Sequence, residues 1–313
     1  MEKSLAIGID IGGTNTSFGI VNKEGKILNK GRLSTTGHTT LESFIGAIKS
    51  TLDPWMAALD KQSFAGIGVG APNANFYTGE IREAVNLPWK GTIPLAGLLE
   101  DAFQLKTTVT NDAKAAALGE MHYGAAKGMK DFVVITLGTG LGSGFVTNGQ
   151  LIYGHDGFAG ELGHVTAVRG GRLCNCGKHG CLERYVSATG IVCTAQEWLQ
   201  QKDQPTSLRQ VQPLTAKAIH QAAENGDAMA CALFEASGQV LGEVLAEVVA
   251  ITSPQAIIFF GGLAAAGDYL LKPAKEHMEQ NLLHIFRNKV AFLRSALPAA
   301  DAAILGASAL VWS

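Results

Sequence analysis

Residues 4–22 read SLAIGIDIGGTNTSFGIVN, and this stretch decides how the chain is built. Leu5, Ala6, Ile7 and Ile9 form an apolar run that reaches Asp10. A turn at Gly12, Gly13 and Thr14 follows, and apolar residues resume at Phe18, Ile20 and Val21. The pattern predicts a strand, a tight turn and a second strand. Two glycines let an anion approach the main chain closely, and the backbone N–H groups and the Thr14 hydroxyl can point at a phosphate. Asp10, at the end of the first strand, is placed to hold a hydrated magnesium ion. The stretch contains neither GxGxxG nor GxxxxGK, so it is neither a dinucleotide fingerprint nor a P-loop. Taken alone it also reads as a plain hairpin turn.

Working outward, residues 131–149, DFVVITLGTGLGSGFVTNG, repeat the design, with Gly138, Thr139, Gly140 and Gly142 as the turn. Two such units imply two related halves, each presenting a phosphate loop to a shared cleft. Between them, Leu41, Phe44, Ile45, Ile48 and Leu52 predict a helix over 39–53 that Pro54 ends or kinks. FAGIGVGAP at 64–72 reads as a buried strand entering a loop. Asn73 and Asn86 on that loop can bond a polar ligand, although asparagine is a default turn residue and the turn reading is the stronger one. TTVT at 107–110 is a short strand that delivers Asn111 and Asp112 to a helix start. Asp112 suits a helix cap, and it equally suits a base that takes a proton from a substrate hydroxyl at the carboxyl end of a strand. The phosphate turns on either side favour the base.

The stretch from Glu161 to Glu183, ELGHVTAVRGGRLCNCGKHGCLE, gathers His164, Cys174, Cys176 and Cys181 between two carboxylates. One imidazole and three thiols packed this closely read as a tetrahedral zinc site. Four protein ligands close the coordination sphere, so the metal is structural and braces Glu161 and Glu183. Further on, helices are expected near 186–201, 214–225 and 227–250. The strand at 256–260 runs into Gly261 and Gly262, which read equally as an adenine pocket or as a strand–helix turn. A last strand near 288–293 precedes a final helical segment, DAAILGASALVW, that can cross back onto the first domain.

Composition excludes several classes. The chain has 313 residues, 47% of them hydrophobic and 17% charged, with a net charge of −2, which suits a two-domain globular enzyme and gives no footprint for nucleic acid. The 38 glycines against 9 prolines suggest tight turns and close backbone approaches rather than disorder. Ser4 to Ile9 is too short a run for a signal-peptide core, and no uncharged apolar run is long enough for a membrane span. Cys193 and Cys231 stand alone in helical patterns as small apolar residues, and reduced thiols suit a cytoplasmic protein.

These motifs carry a resemblance. The DIGGT turn at 10–14, Asn111-Asp112, LGTGLGSG at 137–144, GELGH at 160–164, CNCGKHGCLE at 174–183 and FFGG at 259–262 are similar to those of the ROK family (repressors, open reading frames, kinases), and most to its glucokinase branch. The resemblance covers nearly the whole chain and implies an α/β, two-domain actin-like ATPase (ribonuclease H-like) fold, with mixed sheets flanked by helices and a cleft between domains. The expected division is 1–112 plus about 298–313 for the small domain and 113–297 for the large one. It further implies ATP-dependent phosphorylation of a hexose, glucose first, at its 6-hydroxyl, a step that feeds glycolysis. The alternatives are an N-acetylmannosamine or N-acetylglucosamine kinase, or a non-catalytic sugar sensor.

By the same resemblance Asp112 is the catalytic base, and Asn111, Glu161, His164 and Glu183 bind sugar hydroxyls, with Asn73 and Asn86 as further sugar candidates. Asp10, Gly12, Gly13, Thr14, Gly138, Thr139 and Gly140 serve the nucleotide phosphates with Mg2+, and Gly261 and Gly262 the adenosine. His164 serves twice, with one ring nitrogen on zinc and the other toward the sugar. The expected partners are hexose and ATP, with no nucleic acid, no membrane and a homodimeric assembly. A helix-turn-helix region like that of the regulator branch is not expected before DIGGT. The chain departs from many relatives at Asn73 and Asn15, where they carry Gly and Lys.

Overall fold

Strand β1, Leu5–Ile11, is buried along almost its whole length because sheet neighbours and helices cover both faces, which is why its sequence is nearly continuous apolar residues. The computed structural model describes residues 3–84 and 86–313; Met1, Glu2 and Val85, the last within the loop that carries Asn73 and Asn86, lie outside the described residues. The chain divides into two units, one of residues 3–129, 151–160 and 296–313, the other of 130–150 and 161–295.

In the first unit β2, Asn15–Asn22, and β3, Ile27–Ser34, run antiparallel outward from β1. On its other side come β4, Phe64–Gly70, and, beyond a two-stranded ribbon of β5, Ile81–Arg82, and β6, Thr92–Ile93, strand β7, Thr107–Thr110. The order is β3-β2-β1-β4-β7, with β1, β4 and β7 parallel. Edge strand β3 alternates half-buried and exposed residues, placing Lys30 and Arg32 where unpaired edges benefit from charge. Helices α1, Leu41–Ala57, α2, Leu95–Phe103, and α3, Asp112–Tyr123, flank the sheet. Helix α1 runs three residues past Pro54, since a proline in the last turn removes only one ladder bond. The C-terminal helix, Ala302–Ala309, lies directly on β1 and β4, as expected. It can do so because Gly8 and Gly68 have no Cβ to overlap the Ile304 and Ala307 carbonyls.

The second unit repeats the plan. Strands β8, Phe132–Leu137, and β9, Leu141–Thr147, form the antiparallel hairpin, β10, Gln150–Leu151, extends it, and β11, Ala256–Phe260, and β12, Ala291–Arg294, add in parallel on the other side of β8. The order β10-β9-β8-β11-β12 matches that of the first sheet strand for strand, the two related halves that the glycine turns imply and the duplicated ribonuclease H-like arrangement that the family resemblance implies. Helices α4, Ala188–Gln201, α5, Ala216–Glu224, α6, Ala228–Thr252, and α7, Asp268–Asn281, supply its core. Helix α6 is long and apolar enough to cross a membrane, but Leu233, Phe234, Leu241, Leu245 and Val249 are buried in this core.

The division differs from the expected boundary after Asp112. Helix α3 stays with the first unit because its Gly119 packs against Gly306 of the C-terminal helix, so the change comes between Met129 and Lys130. Residues 151–160 also return to the first unit. Tyr153 stacks on Phe76 at 3.9 Å, and Asn75 Nδ2 donates to the Asp156 carbonyl at 2.6 Å.

Candidate active site

In the first unit the parallel register aligns Asp10, Gly70 and Thr110, so β1, β4 and β7 end flush. Asp112 follows immediately as the first residue of α3. A Cβ on Gly70 would lie 3.5 Å from both Asp10 Oδ1 and the Asp112 Cα, which places the two carboxylates beside one another at this sheet edge. Asn111, not Asp112, caps the helix, its Oδ1 accepting from the Ala113 N–H at 2.9 Å. The same N–H lies 2.8 Å from Asp112 Oδ1.

Asp112 keeps solvent-accessible surface, yet protein surrounds it closely enough that desolvation pushes its carboxyl above the ordinary aspartate range. Burial, and then the neighbouring Asp112 charge, push Asp10 up to about 7. Two such carboxylates side by side favour a shared proton or a cation between them, and an all-oxygen donor set suits Mg2+. In metal-free protein the cost of ionising Asp10 grows as pH rises from its ordinary 3.8 toward about 7, because the folded state holds the proton more tightly than the unfolded chain. Asp10→Asn is therefore expected to raise the melting temperature at pH 8 without Mg2+, while abolishing turnover. An unchanged or lower melting temperature by calorimetry would contradict the strained pair.

The Gly12-Gly13-Thr14 turn is closed by the Gly12 N–H donating to the Asn15 carbonyl at 3.0 Å. Gly13 is required by a close approach, since a Cβ there would sit 2.7 Å from the Asn86 carbonyl oxygen. Asn86 is thus exposed and adjacent to the turn. Asn73 instead adopts a left-handed backbone with φ 53, and its Nδ2 donates to the Glu83 carbonyl at 3.3 Å. Its side chain holds its own loop together, in keeping with the turn reading. The sequence reading missed Asn75 and Lys114. Asn75 is buried and accepts from the Tyr77 and Thr78 N–H groups. Buried Lys114 donates to the Gly157 carbonyl at 2.9 Å, and the only signal for it was a lysine in an alanine-rich run.

In the second unit the Gly138-Thr139-Gly140 turn joins β8 to β9, with Gly142 already inside β9 rather than in the turn. The start of α4 docks on this turn: the Ala188 N–H donates to the Gly138 carbonyl at 2.9 Å and Thr189 Oγ1 to the Thr139 carbonyl at 2.8 Å. Gly261, with φ 106, packs on the end of β8, and the Leu263 N–H donates to the Leu137 carbonyl at 3.0 Å. Both glycine turns therefore share the carboxyl edge of β8 and β11.

The Glu161–Glu183 segment abuts the same turn. Glu183 Oε2 accepts from the Leu141 N–H at 3.2 Å, and Gly140 leaves room for that carboxylate where any Cβ would overlap it. Ser187 Oγ donates to the Glu183 carbonyl at 2.7 Å, and Cys174 Sγ lies 3.6 Å from Glu183 Oε1. His164 follows Glu161 in a short turn, its N–H donating to the Glu161 carbonyl at 3.0 Å.

The ligand atoms of His164, Cys174, Cys176 and Cys181 all lie within 4.8 Å of one another. Cys176 and Cys181 sulfurs are 3.6 Å apart, and Cys174 Sγ is 3.7 Å from His164 Nδ1. A tetrahedron of ligands about 2.3 Å from zinc has edges of about 3.8 Å, so the donor set fits that ion. Nδ1 faces the sulfurs, which leaves Nε2 on the other side of the ring. Burial pushes the Cys181 thiol up to about 12, and a divalent cation would reverse that by ligating the thiolate.

The family model for the ROK family matches residues 6–313. The chain belongs to the ROK family. A glucokinase of Halalkalibacterium halodurans is 38% identical over 99% of this chain and 96% of its own length. An N-acetylmannosamine kinase of Citrobacter koseri is 31% identical, with 97% of each chain covered. Among solved structures, a ROK family glucokinase from Streptomyces griseus in complex with glucose and AMPPNP is 32% identical with a TM-score of 0.80, covering 98% of both chains. This ROK chain has the actin-like ATPase fold of such sugar kinases, as its two matching sheets indicate.

Proposed function

We propose that this ROK protein transfers the γ-phosphoryl group of ATP to the 6-hydroxyl of a hexose, glucose first, with Asp112 as general base. The observation that carries the reading is the Asp10–Asp112 pair at the flush ends of three parallel strands, beside the Gly12–Thr14 turn. Asp112 accepts the hydroxyl proton as the oxygen attacks phosphorus, and its raised carboxyl makes it a better base than an ordinary aspartate. Bound Mg2+ would neutralise charge on the phosphates, with Asp10 holding its hydration shell. The turns Gly12–Thr14 and Gly138–Gly140 cradle phosphate oxygens through the N–H groups of Gly13, Thr14, Thr139 and Gly140, those of Gly12 and Gly138 closing the turns on the Asn15 and Gly140 carbonyls, and Gly261 and Gly262 border the adenosine. Asn111, Asn86, Glu161, Glu183 and His164 Nε2 bind ring hydroxyls, while Asn73 acts through its loop.

His164, Cys174, Cys176 and Cys181 hold a structural zinc that fixes the segment bearing these groups. Reduced thiols fit a cytoplasmic enzyme, and a homodimer is the proposed assembly. The Citrobacter koseri relative favours N-acetylmannosamine as the second substrate to test. A coupled ADP-release assay over glucose, mannose, fructose, allose, N-acetylmannosamine and N-acetylglucosamine is expected to rank glucose first by kcat/KM. A higher value for an acetylated sugar would reassign the substrate, and no turnover on any sugar would favour the sensor.

The base must be ionised to act. The acid limb of kcat/KM is therefore expected above the ordinary aspartate value of 3.8, with activity falling as pH falls through it. A profile that stays flat down to that value would remove Asp112 from the role.

A further inference from the structure

Arg172 lies two residues before Cys174, and none of its contacts uses a metal-ligating atom. Its backbone N–H donates to Tyr185 Oη at 2.8 Å. Its guanidinium forks onto Glu197 of α4, Nε to Oε1 at 2.7 Å and Nη2 to Oε2 at 2.5 Å. Nη1 donates to the Arg184 carbonyl at 2.6 Å, and the guanidinium carbon lies 4.4 Å from the centre of the Tyr185 ring. The Arg172 side chain is only 13% exposed, while Glu197 is 45% exposed, so the fork is shielded from solvent on its arginine side alone. The same pairing holds the Glu197 carboxyl below the ordinary range.

Two of the residues gripped by Arg172, Arg184 and Tyr185, directly follow Glu183. Arg184 and Tyr185 complete the short turn that begins at Leu182, and the Gly190 backbone of α4 packs against that turn so closely that a Cβ would lie 2.8 Å from the Glu183 carbonyl oxygen. The carboxylate of Glu183 is thus aimed from one side by the Leu141 N–H and from the other by whatever fixes the turn's backbone. Cysteines 174, 176 and 181 constrain the near side of the segment, and Arg172 ties its far side to α4.

We propose that Arg172, paired with Glu197, is a positioning residue for Glu183: a second brace on the sugar-binding segment that works independently of the metal. The inference rests on the reading of Glu183 as a hexose ligand. A fork is needed because two carboxylate oxygens and a carbonyl are engaged at once, and lysine offers only a point charge.

The test uses the full chain with metal bound. Arg172→Ala, Arg172→Lys and Glu197→Ala, the last removing a half-exposed carboxylate from α4, are each expected to raise the glucose KM about tenfold. The kcat, the ATP KM and a zinc content of one per chain by elemental analysis are expected to stay near wild type. An unchanged glucose KM in Arg172→Lys and Glu197→Ala, with wild-type turnover intact, overturns the brace alone. A raised KM that accompanies zinc loss and is reversed by added zinc also overturns it, because the residue would then act through the metal. Absence of hexose turnover in the wild type overturns the kinase reading itself, and the brace's role with it.

Discussion

Asp112→Asn is expected to lower kcat for glucose phosphorylation by about three orders of magnitude, within the span typical of losing a general base. That corresponds to about 4 kcal/mol of transition-state stabilisation. The substitution is nearly isosteric, and the amide oxygen can still accept from the Ala113 N–H at the start of α3. What is lost is the site for the departing proton. Glucose affinity is expected to stay within a few-fold, because an amide still bonds a hydroxyl. The variant is not expected to be less stable, since it removes a desolvated charge that opposes Asp10. Single-turnover kinetics together with calorimetric glucose binding would separate these effects. Near-normal kcat would dismiss Asp112 as the base, and loss of glucose binding with it would recast Asp112 as a binding group.

Metal removal is the second large effect. A structural zinc in a small peptide contributes about 10–16 kcal/mol of apparent binding free energy. With the proposed zinc in place, the segment from Glu161 to Glu183 is expected to rely on such a contribution: Val165, Thr166, Leu173, Asn175 and Cys176 are all exposed, and few apolar side chains anchor it. The core of the second unit, built from β8, β11 and α4 to α7, takes only Leu162, Leu182 and the half-buried Ala167 from this segment. Chelation is therefore expected to abolish glucose binding while most helical circular dichroism remains. Cys181→Ser, at a fully buried ligand, is expected to behave alike. Full hexose affinity in a sample shown by elemental analysis to be metal-free would contradict a bracing metal.

Much of the fold was legible because both sheets begin with a hairpin whose glycine turn is written openly in the chain, at Gly12–Thr14 and Gly138–Gly140. The short strands at 107–110 and 256–260 were readable from β-branched and aromatic runs, and they end where expected. The unit boundary was not legible, because what keeps α3 in the first unit is the contact of Gly119 with Gly306 far along the chain. Local sequence also cannot assign the two carboxamide and carboxylate roles at a helix start. Asn111 and Asp112 both suit a cap, and the Asn111 contact to Ala113 shows which one takes it.

The cluster of His164, Cys174, Cys176 and Cys181 was the most readable grouping, since one imidazole and three thiols so close in the chain read as one set, and their ligand atoms do lie within 4.8 Å of one another. The Glu183 contacts were not readable. A backbone N–H at Leu141, a serine at 187 and the Arg172 fork converge on one turn from three places in the chain, and nothing in their local patterns marks them. Lys114 and Asn75 escaped for the same reason, as their partners are carbonyls of the 151–160 segment.

The most direct measurement is phosphoryl transfer itself, following ATP and glucose with the purified wild-type chain by phosphorus NMR. The expected result is stoichiometric ADP and a single new resonance from phosphate on the glucose 6-oxygen, absent with Asp112→Asn. ADP formation without a sugar phosphate, or a sugar phosphate formed equally well by Asp112→Asn, would contradict a hexose kinase built around this aspartate.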